Sequence, residues 1–281
     1  MAIRDILVHV DDGERCGSRI DAAVNLSLAF QAELSGVYAI SHPFSSNIVR
    51  GHFADEVRAQ YQEMQAAEVR KSTENAEKLF REKTSHGDIV TEWHAEVGEE
   101  SEVIFRHARY SDLVVAGQIA SETPRRDPSD MPDRLVLGVG RPVIVIPYHG
   151  YFPSIGKRVL VAWDGGRAAA RAVHDAIPFL RRAEQVKVVS VNRDTETRGG
   201  EEGPAAQLSR RLDRHDIKAE GRDIAMKGKR VGEALHTMIA EEGIDLLVMG
   251  AYGHPRWQEL VLGGVTRHTF ANMTTPVLMS H

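Results

Sequence analysis

Short β-branched runs without polar alternation recur along the chain, at 159–163, 186–191, 246–249 and 276–279. Runs of this kind predict strands buried on both faces. Between them, 167–182 and 229–241 space their apolar residues as helices do. Strands that alternate with helices predict βαβ units, hence a parallel sheet covered on both sides. Residues 53–85 contain neither Gly nor Pro, and Val57, Tyr61, Met64, Leu79 and Phe80 give them the apolar stripe of one long helix. The corresponding stretch of the second half, near 201–215, predicts a much shorter one.

The pattern occurs twice. Asp5-Ile6-Leu7-Val8-His9-Val10-Asp11 resembles Arg158-Val159-Leu160-Val161-Ala162-Trp163-Asp164. Asp112-Leu113-Val114-Val115-Ala116-Gly117 matches Asp245-Leu246-Leu247-Val248-Met249-Gly250. Val97-Gly98-Glu99 precedes the first of these and Val231-Gly232-Glu233 the second, and Pro142-Val143-Ile144 answers Pro276-Val277-Leu278. Four matches in one order, the last three at a nearly constant offset, indicate a tandem duplication. The expected domains are 1–149 and 150–281, with a linker at 148–156. The closing strands, 143–146 and 277–279, are short, apolar and preceded by proline, as edge strands can be. Because an exposed apolar edge needs cover, the two halves are expected to pack through them, with a homodimer of chains as a further assembly.

Composition narrows the class. With 42% hydrophobic residues the chain can bury a core, and a net charge of −5 argues against nucleic acid as partner. One cysteine, Cys16, leaves no internal disulfide. Asp5 and Asp11 come too early for a signal peptide, and no apolar run approaches the roughly 20 residues of a membrane span. The expectation is a soluble cytoplasmic protein without membrane insertion.

Candidate chemistry lies in GAYGHPRWQELVLGGVTRH, which runs from Gly250 to His268. Gly250 closes a strand, Gly253 follows, and Gly263 and Gly264 stand before Val265-Thr266, where a helix begins. In doubly wound sheets ligands sit beyond the C-terminal strand ends. Free N–H groups at a helix start bind phosphate, and glycine removes the Cβ that would hold phosphate oxygens away. Turn or cap service is the competing reading of each glycine.

This spacing resembles the nucleotide loop of universal stress proteins, G-x2-G-x9-G followed by Ser or Thr. The resemblance covers the whole chain as two tandem domains. It implies Rossmann-like doubly wound α/β domains, each with a five-stranded parallel sheet in the order 3-2-1-4-5. It also implies that the second half binds an adenine nucleotide, ATP first and ADP or AMP next, with Mg as its companion, and acts as a stress-response sensor or regulatory module. Carried over by position, Ala162, Asp164 and Val191 hold the adenine end, and Gly250, Gly253, Gly263, Gly264, Val265 and Thr266 hold ribose and phosphates. Asp164 serves equally as a cap for the helix at 167–182, and Thr266 as a helix cap. One departure is Gly264, which replaces the family hydroxyl. A lost hydrogen bond to a charged group is worth about 1.5–3 kcal/mol.

Aligned from Gly117, the first half puts Ala120 opposite Gly253, and Asp130 and Met131 opposite Gly263 and Gly264. A carboxylate where phosphate belongs opposes binding, so this half is expected to be a structural partner. The letters Leu135-Val136-Leu137-Gly138 repeat in Leu260-Val261-Leu262-Gly263, but Gly138 lies too close to Pro142 for a helix to follow it. The glycines and Lys157 after Gly150 precede a strand where a phosphate loop must follow one. Thirteen histidines include no i,i+4 ligand pair. His254, inside the glycine loop, is read first as a solvated loop residue. No G-x-S-x-G elbow or catalytic base is evident, so an enzyme is not expected. The alternatives are a nucleotide-free interaction protein and a slow ATPase.

Overall fold

A computed structural model describes residues 2–40, 55–118, 131–192, 203–225, 231–251 and 264–281. In the first half the order is β1 (Asp5–Val10), α1 (Cys16–Phe30), β2 (Glu33–Ile40), α2 (Asp55–Thr84), β3 (Thr91–Val97), α3 (Glu100–Ala108), β4 (Leu113–Gly117), α4 (Met131–Gly138) and β5 (Val143–Ile146). The second half repeats it with β6 (Arg158–Ala162), α5 (Arg167–Leu180), β7 (Gln185–Asn192), α6 (Pro204–Asp213), β8 (Ala219–Ala225), α7 (Val231–Glu242), β9 (Leu246–Gly250), α8 (Gly264–Asn272) and β10 (Val277–Ser280).

The ten strands among the described residues form one sheet in the order β3-β2-β1-β4-β5-β10-β9-β6-β7-β8. Each half therefore has the expected order 3-2-1-4-5, parallel throughout. At the seam β5 and β10 run antiparallel, pairing Val143 with Met279, Ile144 with Leu278 and Val145 with Val277. Val143, Ile144, Val145, Val277, Leu278 and Met279 are all buried. Both seam strands follow a proline, which costs the ladder no donor inside the strand.

Two apolar layers cover the faces. Ile20 and Leu26 of α1, Phe80 of α2, Ala172 and Phe179 of α5 and Leu208 of α6 fill one of them. Val103 and Ile104 of α3, Leu135 of α4, Leu235 and Ile239 of α7 and Phe270 of α8 fill the other. On the first face the halves meet where the Phe30 and Phe179 rings pack edge to face at 4.7 Å.

The long helix departs from the expected stripe. Phe80 and Ala76 are buried, but Met64 is 70% exposed. A helix of 30 residues spans about 45 Å at 1.5 Å per residue. The eight-residue β2 beneath it spans about 27 Å, so the N-terminal turns have no sheet to cover. Val57 and Tyr61 have side chains outside the described set.

The repeated letters have repeated structural uses, with one exception. Asp112 accepts the N–H groups of Arg4 and Asp5 at the entry to β1. Asp245 accepts those of Gly156, Lys157 and Arg158 at the entry to β6. Each aspartate anchors the first strand of its half to the fourth. The exception is Val97-Gly98-Glu99, where Val97 ends β3 and Glu99 caps α3 by accepting from the Glu102 N–H. Val231-Gly232-Glu233 instead forms the first turn of α7, because that helix runs 12 residues against nine for α3.

Candidate functional site

The C-terminal ends of β7, β6 and β9 lie side by side, since Ala162 pairs with Val189 on one side and Met249 on the other. Val191 lies two residues further along β7, opposite Ile224 of β8. Ala162, Val191 and Val265 are half-buried and pack on the same apolar layer, that of α7 and α8. Small and branched apolar side chains thus floor this rim on the face that α8 covers.

Asp164 follows, exposed, where the chain turns from β6 into α5. Its Oδ1 accepts the Gly166 N–H at 2.8 Å, and Gly166 is the N-cap residue of α5. The carboxylate therefore shapes the helix entrance while remaining open to solvent.

Gly250 closes β9 and is required there by packing. A Cβ would collide with the Ala169 nitrogen and come within 2.6 Å of the Ala168 carbonyl carbon in the first turn of α5. The absent side chain points to the α5 face, so a ligand on the α8 face would meet only backbone at this position. Gly264 is the first residue of α8. Val265 packs its side chain on the apolar layer, and Thr266 is 4% exposed. Gly253, Gly263 and His254 lie outside the described residues. Ala162, Asp164, Val191 and Gly250 are brought to one rim.

The first half builds the same turn and then fills it. Asp11 Oδ1 accepts the Gly13 N–H at 2.9 Å, as Asp164 does from Gly166. Arg19 Nη2 also lies 2.8 Å from Asp11 Oδ1. Burial pushes the Asp11 carboxyl up, but the Arg19 guanidinium, His9 and the Gly13 N–H together outweigh it and hold the carboxyl below its usual range. The same guanidinium stands where a Cβ on Gly117 would be. At the corresponding step of α5 the residue is Ala172, fully buried. A buried arginine in α1 was not legible from the sequence, where it looks like any exposed helix charge. A cavity of about 380 Å³ opens over this rim, lined by Asp11, Asp12, Tyr38, Gln65, Glu68 and Glu100 among others. Its carboxylates oppose an anionic ligand. Ala120 and Asp130 lie outside the described residues. Met131 begins α4 as Gly264 begins α8, and Leu135 to Gly138 fall inside α4 instead of before it.

Among the described residues no group of three His, Cys, Asp or Glu side chains is arranged to hold a metal ion, and no helix is long and apolar enough to cross a membrane.

Residues 156–281 match the model of the Universal stress protein family. The second half of the chain is thus similar to universal stress proteins in sequence. Over 97% of this chain, the fold is similar to that of a universal stress protein from Archaeoglobus fulgidus DSM 4304, with a TM-score of 0.73, 14% identity and 96% of that chain covered. A protein of unknown function from Pseudomonas aeruginosa PAO1 superposes over 99% of this chain and 92% of its own, with a TM-score of 0.57 and 12% identity. At these identities the likeness is one of fold. No functionally curated protein gives a significant sequence match.

Proposed function

We propose that the second half binds one adenine nucleotide, ATP foremost, and that the protein works as a stress-response regulatory module in the cytoplasm. The observation that carries this reading is the rim where Ala162, Val191 and Val265 share one apolar face beside the open carboxylate of Asp164. A flat apolar floor suits a purine, and a carboxylate accepts from its exocyclic amine or from ribose hydroxyls. The first turn of α8 offers N–H groups and the positive end of a helix dipole to phosphates. Gly253 and Gly263 are proposed to let the chain approach the phosphates, and Mg accompanies the nucleotide through phosphate oxygens. The domains divide at 149/150, only the second carries the site, and chains pair further as homodimers.

The test is to denature the purified protein and identify any released nucleotide, then to titrate nucleotide-free protein with ATP calorimetrically. One site per chain is expected. Two equivalent sites would contradict the reading of Arg19 and the acidic first rim. Gly253→Val should abolish binding while unfolding stays cooperative; unchanged affinity in that variant makes this glycine a turn residue. Turnover of ATP that disappears in the Gly253 variant would instead identify an ATPase.

A further inference from the structure

Gln118 lies just beyond β4, on the rim of the first half, with its backbone N–H bonded to the Ile146 carbonyl at 2.8 Å. Its side chain leaves that half. Nε2 donates to the Phe270 carbonyl of α8 at 2.6 Å, and Oε1 accepts the Tyr148 N–H at 2.7 Å. The two partners are of opposite kind, a carbonyl and an N–H, so they fix which way round the amide sits. Phe270 is fully buried. It lies in the last turn of α8. Asn272 Nδ2 supplies one further donor at this end, to the His268 carbonyl at 2.9 Å. The first half thus caps the C-terminal end of the helix whose first turn is proposed to meet phosphate.

We infer that Gln118 is a positioning residue, by which the half without a nucleotide site holds α8 in place for the half that has one. The inference rests on the nucleotide reading above. A helix of nine residues is about 13 Å long and moves as one rod, so a shift at Phe270 is felt at Gly264. The linker is held through the same amide, which ties the exit of β5 to α8.

Gln118→Glu keeps an acceptor for the Tyr148 N–H but turns a carboxylate oxygen toward the Phe270 carbonyl. Gln118→Met removes both bonds at nearly equal volume. Both variants should bind ATP about two- to tenfold more weakly, the range of one hydrogen bond, and should exchange amide protons faster in the last turn of α8. Asn25→Ala is the control, because it deletes another bond to the linker, from Nδ2 to the Phe152 carbonyl at 3.2 Å, and leaves α8 untouched. Unchanged ATP affinity in both Gln118 variants overturns the inference, as does an equal loss in Asn25→Ala. If the parent protein binds no ATP, the nucleotide reading fails by itself. Amide exchange without nucleotide then decides Gln118, and an unaltered α8 in Gln118→Glu overturns its positioning role.

Discussion

The difference between the two halves is set by single side chains. Asp11 and Asp164 make the same turn with the N–H two residues on, yet Arg19 claims the first carboxylate and Ala172 leaves the second alone. Arg19→Met should destabilise the protein at neutral pH by about 1–3 kcal/mol, less than a fully buried pair because Asp11 keeps some solvent contact. Since the folded carboxyl titrates below its unfolded value, its contribution is complete above about pH 4 and is lost as pH falls through the depressed value. Urea titrations across pH 2–6 should show an acid-side loss in the parent that shrinks in the variant. Parallel curves would remove Asp11 from the account. At Gly264, Gly264→Ser restores the family hydroxyl and should tighten ATP binding by at most about 1.5–3 kcal/mol. Weaker binding would mean that the pocket has adapted to another ligand. The sequence showed Asp164 and the glycines, because their types are unusual at strand ends. It hid Arg19, since only the fold reveals that α1 turns this position inward.

At the scale of elements, what was legible depended on burial. Strands sealed on both faces, such as β6 and β9, were readable as apolar runs. β8, the outer strand of the second half, reads Ala-Glu-Gly-Arg-Asp-Ile-Ala and gave no such signal, because an edge strand with solvated positions needs none. The apolar stripe of α2 was over-read at Met64, since a helix former does not stop where the sheet beneath it does. The glycine at 250 was noticed for its link to a ligand loop, whereas contact between β9 and α5 requires it. Gly250→Val should therefore lower stability by about 1–3 kcal/mol through overpacking, with or without nucleotide. A melting temperature equal to that of the parent would show that α5 can yield.

For the whole molecule, the seam between β5 and β10 decides cooperativity. Val145 is fully buried there, opposite Val277. Val145→Asp places an unpaired charge in the seam and should cost roughly 3–5 kcal/mol. Calorimetry should then resolve two unfolding transitions where the parent gives one. A single transition at the parent temperature would mean that the halves are held mainly by α1 and α5.

The reversal of strand direction at that seam also has an electrical consequence. Within each half the helices run opposite to the strands, so their positive ends gather at the C-terminal rim. Because the halves point in opposite directions, these fields subtract across the molecule, which approaches a quadrupole with two positive rims and little net helix dipole. The first rim sets Asp11, Asp12, Glu99 and Glu100 against its share. The second sets the exposed Asp164 and Glu233 of α7 against its share, while α5, α6 and α8 begin with no acidic residue in their first turns. An anion drifting near the protein is therefore drawn toward one rim before any contact forms.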